Sequence, residues 1–109
     1  MVNNEEQLNR VFHALADPTR RKILEQIAKS DATVGELAEP FSISAPAISK
    51  HLKTLEKATL IDRVKDGKIH RFKMNTQPLQ TAQTTINQLT AFWLQRLANL
   101  ESFLNKENQ

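Results

Sequence analysis

Apolar residues recur at helical spacing in five stretches of the chain. Leu8, Val11, Phe12 and Leu15 share one face, which predicts a first helix over about 5–16. Asp17-Pro18 then supplies an N-cap followed by proline at the first helical position. The second helix runs to about Lys29, with Ile23, Leu24 and Ile27 on its inner side. Ser30-Asp31-Ala32 is a polar break. Thr33 caps a short third helix from Val34 to about Glu39, with Glu36 completing a capping box and Pro40 marking the end. Ser42-Ile43-Ser44 reads as a turn. Ser44 caps a fourth helix, about Ala45 to Ala58, whose apolar stripe is Ile48, Leu52 and Leu55.

The period then changes. Leu60, Ile61 and Val64 precede Asp66-Gly67, and Ile69, Phe72 and Met74 follow it. This pattern predicts a β-hairpin with strands over roughly Ile61–Lys65 and Lys68–Met74. Thr76 and Pro78 open a long last helix, about 78–104, in which Leu79, Ala82, Ile86, Leu89, Trp93, Leu97, Leu100 and Leu104 step by three or four. At 1.5 Å per residue it would span about 40 Å. The fold class is therefore mainly α, one domain over residues 1–109, with a helix-turn-helix at about 33–58 and a hairpin at about 61–74.

Charge sharpens this picture. From Ala45 to Lys73 there are eight basic residues and three acidic ones, a net of +5, while the other seven basic and nine acidic residues leave −2. A cationic segment centred on a helix-turn-helix implies double-stranded DNA as partner. With Ile48, Leu52 and Leu55 turned inward, Pro46, Ser49, Lys50 and Lys53 face outward. Ser49 and Lys50 suit base edges, whereas Lys53 and Lys57 suit phosphate. Ser44 stands at the same end, and the amides near Thr33 and Val34 are expected to meet a phosphate. Lys65, Lys68, His70 and Arg71 surround the hairpin tip and are expected along the DNA backbone or minor groove. His51 belongs to the edge of the helix packing or to a phosphate contact.

Other chemistries find little support. The absence of cysteine excludes disulfides, thiol redox sensing and thiolate metal ligands. His13, His51 and His70 lack helical ligand spacing, so no metal site is expected, and no cofactor. Ser49 and His51 are two apart on a helix and cannot pair for catalysis, and no glycine-rich phosphate loop exists, so an enzyme is not expected. No apolar run is long enough for a membrane span, and the polar N-terminus MVNNEEQLNR is not read as a secretory signal, which favours the cytoplasm.

The segments DPTRRKILEQI, ELAEPFSISAPAISKHLKTLEKATLI and DGKIHRFKMN resemble winged helix-turn-helix repressors of the ArsR type, a likeness running from Phe12 to Leu104. The resemblance implies a homodimeric repressor that pairs through its first and last helices. On that reading Leu8, Val11, Phe12, Leu79, Ile86, Leu89, Trp93, Leu97, Leu100 and Leu104 form the dimer interface. The chain departs from the family pattern twice. Where a glycine commonly follows the recognition helix stands Thr59, so the turn is closed differently or strained. The metal-binding cysteines of the third helix and the histidines of the last are missing, and the tail AFWLQRLANLESFL resembles a metal-independent branch.

The last-helix stripe admits three roles: internal core, subunit pairing, or the wall of a pocket for a small organic effector bordered by Phe92 and Trp93. A mixture of core and symmetric interface accounts best for the number of apolar positions. The expected function is a sequence-specific, DNA-binding transcriptional regulator. The alternative is a winged-helix module for protein–protein assembly.

Overall fold

The computed structural model describes residues 4–107. Five α-helices and a small sheet follow one another as α1 (Asn4–Leu15), α2 (Pro18–Lys29), β1 (Ala32–Thr33), α3 (Val34–Ala38), α4 (Ala45–Lys57), β2 (Ile61–Asp66), β3 (Ile69–Met74) and α5 (Gln77–Glu107). Asp17 caps α2, its carboxylate accepting the Arg20 amide at 2.9 Å. The two arginines of the DPTRR segment fold back onto the end of α1. Arg20 donates to the Ala14 and His13 carbonyls at 2.9 and 3.0 Å, and Arg21 to the Leu15 carbonyl at 2.6 Å. They add donors to the carbonyls at the helix end, of which that of His13 also accepts the Ala16 amide at 3.2 Å.

Three details differ from expectation. The helical conformation does not stop at Pro40, because Glu39–Phe41 continue as one 3-10 turn that accepts proline near its start. Ala32 and Thr33, read as part of a break and a cap, also form a short strand, so the sheet has three strands in the order β1-β3-β2. The hairpin loop lies one residue later than the Asp-Gly signal suggests. Asp66 pairs with Ile69, leaving Gly67-Lys68 as the two-residue loop. Gly67 has φ 63° and Lys68 is not in the positive-φ region, which is the glycine-first pattern of a type II′ turn.

The core gathers inward faces of every element. Val11 and Ala14 of α1, Ile23, Leu24 and Ile27 of α2, Leu37 of α3 and Ile48, Leu52 and Leu55 of α4 surround Phe72 of β3. Phe72 is opposite Ala32 on one side and Arg63 on the other, so a single aromatic ring fills the sheet's inner face. Among the described residues the buried set is wholly apolar.

Helix α4 ends in a left-handed turn. The Leu60 amide donates to the Leu55 carbonyl at 3.1 Å and the Thr59 amide to Glu56 at 2.9 Å, the paired bonds of a Schellman motif. Thr59 occupies its left-handed position with φ 58°. The turn therefore closes as a glycine turn would, and a β-branched residue there costs roughly 1–2 kcal/mol of strain.

Helix α5 contributes only Pro78 and Ala82 to the buried set, with Leu79 packed at its edge. Its 31 residues span about 46 Å, and most of that length stands away from the core. The radius of gyration is 19.7 Å, against about 13 Å for a compact chain of this length.

Replacing Phe72 with alanine would leave the sheet's inner face hollow. Phe72→Ala is expected to cost about 3–5 kcal/mol of folding stability, read from urea unfolding monitored by circular dichroism.

Candidate nucleic-acid interface

The reading unit is built around the burial of one side of α4. Ile48, Leu52, Leu55 and Ala58 are inaccessible to solvent, which turns Pro46, Lys50, Lys53 and Lys57 outward in an exposed row. Ser49 is half-buried at the edge of that row. Ser44 caps the helix, its hydroxyl accepting the Ala47 amide at 3.2 Å. The turn before it is made by Ser42 in the left-handed region, φ 53°.

Several of the expected contact residues are already engaged. The Thr33 amide, expected to meet a phosphate, instead donates to the Glu36 carboxylate at 3.1 Å, while the Thr33 hydroxyl accepts the Glu36 amide at 3.3 Å. This reciprocal cap places a negative charge at the start of α3, which Arg71 faces at 3.5 Å. Bonding to Thr33, and then the charge of Arg71, hold the Glu36 carboxyl below its usual value. His51 turns back toward α2, where its Nδ1 lies 3.5 Å from the Arg20 guanidinium.

The hairpin is tied to α4 by a residue to which the sequence reading gave no role. Arg63 on β2 makes two bonds to the Glu56 carboxylate on α4, at 2.8 and 3.3 Å, and lies 4.9 Å above the Phe72 ring. The hydrogen bond to Glu56 raises its already high pKa against a smaller opposing effect of burial. Its remaining nitrogen donates to His70 Nδ1 at 2.8 Å. A guanidinium can only donate, so Nδ1 is the acceptor and Nε2 is the ring's donor. Nothing in a sequence reveals this bridge, since Glu56 and Arg63 meet only because the Thr59 turn folds β2 back along α4.

The cations thus divide. Arg63 and Arg71 are paired with acids, whereas among the described residues no ion pair engages Lys50, Lys53, Lys57, Lys65 or Lys68. These five lysines are exposed, and they form two groups, one along α4 and one at the β2–β3 tip.

The expected dimer residues also separate. Val11 is only 1 % exposed and belongs to the protomer's own core, because α1 turns that position onto α2 and α4; it is not available to a second subunit. Leu8 and Leu79 are partly buried against the same core. Phe12, Ile86, Leu89, Trp93, Leu97, Leu100 and Leu104 are exposed, and so are Phe92, Leu94 and Phe103. Among the described residues no group of three or more potential metal ligands comes together, and no helix is long and apolar enough to cross a membrane.

Comparison with known proteins agrees with this geometry. Residues 17–63 match the family described as bacterial regulatory protein, arsR family. The chain is 45 % identical over 73 residues to the transcriptional repressor SdpR of Bacillus subtilis (strain 168), covering 67 % of this chain and 81 % of that one. It is 33 % identical over 99 residues to the HTH-type transcriptional regulator Rv2034 of Mycobacterium tuberculosis, covering 91 % and 90 %. An ArsR-like transcriptional regulator from Rhodococcus sp. RHA1 superposes with a TM-score of 0.81 at 32 % identity, over 94 % of this chain and 96 % of that one.

The Glu36 cap carries a pH signature. Its lowered carboxyl stabilises the fold above the ordinary carboxylate value, 4.5, and that contribution disappears as pH falls through the lowered folded value. Glu36→Gln keeps an acceptor for Thr33 but loses the charge. Wild type is expected to be the more stable at neutral pH, with the gap closing as pH falls below 4.5 and through the lowered folded value. Urea midpoints measured across this range check it.

Proposed function

Because this chain belongs to the arsR family of bacterial regulatory proteins, we propose that it acts as a homodimeric repressor that occludes a promoter by binding an inverted-repeat operator. The family is one of DNA-binding transcriptional regulators, not enzymes. The observation that carries the dimer is the bare length of α5. Trp93 is 54 % exposed and Phe92 72 %, and among the described residues the apolar ridge from Ile86 to Leu104 is not covered by the core. A contiguous apolar surface of this kind is characteristic of an interface. A two-fold pairing through α5 and the exposed side of α1 at Phe12 covers it. It sets two copies of α4 about 34 Å apart, one turn of DNA.

In this reading α4 enters the major groove N-terminus first. Ser44, Pro46, Ser49 and Lys50 approach base edges, and Lys53 and Lys57 meet phosphates. The hairpin lies along the backbone through Lys65 and Lys68, with Arg71 and the His70 Nε2–H beside them. Arg63 is a brace that keeps the hairpin at a fixed angle to α4. Thr33 and His51 support the elements and do not contact DNA through the groups already bonded. The lack of cysteine, and a last helix without histidine, support regulation without a metal. Release by a small organic effector, or no effector at all, fits the same residues.

The central test is selection of bound duplexes from a random pool, which reports sequence preference, symmetry and half-site spacing together. Ser49→Ala with Lys50→Ala is expected to relax that preference, each lost base contact costing about 1–3 kcal/mol. Lys68→Ala is expected to weaken binding to all sequences and to shallow its salt dependence by about one ion. Variants that bind like wild type would remove these roles.

Trp93 is the chain's single tryptophan, so it reports on the interface directly. Its emission is expected to shift to shorter wavelength as protein concentration rises. Trp93→Asp is expected to sediment as a monomer with its fold intact, because the ring lies outside the buried core and its cation–π partner is the neighbouring Arg96 guanidinium, 5.8 Å from its centroid.

A further inference from the structure

The turn after α4 is held from outside by two side chains that no DNA contact requires. Gln7 of α1 donates through Nε2 to the Ala58 carbonyl at 3.2 Å and to the Thr59 hydroxyl. That hydroxyl in turn donates to the Ala58 carbonyl at 2.7 Å. From the other side Asn75 donates through Nδ2 to the Thr59 carbonyl at 3.1 Å, and its backbone amide donates to Leu60 at 2.9 Å. Its Oδ1 accepts the Gln77 amide at 3.3 Å, at the first residue of α5. One left-handed residue is therefore gripped by α1 and by the start of α5, and it ends the helix whose lysines face outward.

We propose that Gln7 and Asn75 are positioning residues for DNA binding, fixing the angle of α4 against the α1–α5 frame through Thr59. The proposal rests on the reading that α4 meets DNA and that α1 and α5 pair two subunits. Two half-sites can be read together only if both α4 helices keep one tilt and one separation. A helix held at its C-terminal turn transmits any rotation there to the N-terminal residues at the base edges. The tie is also reachable. A cavity of about 370 Å³ opens between α1, the turn and α5, with Gln7, Thr59, Asn75 and Thr81 on its polar side and Leu8 and Pro78 on its apolar side. The Gln7–Thr59 bond is exposed in it, so Gln7 has room to release without disturbing the core.

A merely structural role is the competing account: the two amides would only offset the strain of a threonine with φ 58°. The Thr59→Gly background separates the two, because glycine takes that conformation freely and needs no offset. Gln7→Met removes the donors and keeps the length. Asn75→Asp keeps the Oδ1 cap on α5 and loses the Nδ2 donor. Each change is made in the full chain, in both backgrounds. Affinity is measured for a duplex that wild type selects from a random pool, for the same duplex with one base pair added or removed between half-sites, and for random DNA. Sedimentation and thermal unfolding accompany each variant.

The expected result is a loss of ten-fold or more in affinity for the selected duplex and a weaker preference for its spacing. Random-DNA affinity and dimerisation stay unchanged, and Thr59→Gly does not rescue. Restoration of wild-type affinity by Thr59→Gly overturns the proposal, as does wild-type affinity and spacing preference in both single variants. If wild type itself selects no duplex, or stays monomeric, the reading of α4 and α5 has failed, and the positioning role falls with it.

Discussion

Ile48, Leu52, Leu55 and Ala58 reach complete burial along one side of α4, and their spacing sets which face of the helix turns inward. Turning it by one residue would swing these side chains through about 100° and carry Ser49 and Lys53 toward the core. Each large side chain contributes about 1.5–3 kcal/mol by burial, and each buried ammonium would add a desolvation cost. The direction of Lys50, Lys53 and Lys57 is thus settled by what lies on the opposite side of the same helix. The hairpin inherits this orientation, since Arg63 locks β2 to Glu56 and Phe72 seats β3 on the shared core.

A division of labour between the two cationic side chains follows. Arg20 and Arg21 close α1, Arg63 bridges α4 to the hairpin, and Arg71 answers the Glu36 charge. At Arg20, Arg21 and Arg63 the guanidinium makes directed bonds that a lysine would make poorly. The lysines of α4 and the hairpin tip, single charges on flexible tethers, are left to solvent. A count of positive residues treats both types alike, yet among the described residues between Lys50 and Lys73 the two arginines are paired with acids and no lysine is.

Most of the architecture was legible in the sequence because it depends on periodicity and caps. The five helices, the Thr33–Glu36 capping box and the outward row of α4 follow from spacings of three and four and from short polar residues before them. What escaped depends on pairing between distant segments. β1 is two residues long and exists only because β3 offers an edge. The hairpin loop is displaced by one residue, in the register that sets Phe72 between Ala32 and Arg63. Val11 shares a helical face with exposed residues, and periodicity could not divide inner core from outer surface there. Thr59 marked a departure from glycine, but only the amides of Gln7 and Asn75 show how the turn is held.

Beyond Ala82, α5 is a helix with no core beneath it. Threonines at 84, 85 and 90 and the aromatic pair Phe92-Trp93 are modest helix formers, and an isolated helix gains little stability in water from propensity alone. In the dimeric reading, order in this arm and association of the subunits become a single cooperative event. Occupancy of a two-fold operator then rises more steeply than in proportion to the number of chains in the cell. A small change in synthesis or turnover would be enough to move such a promoter between its silent and active states.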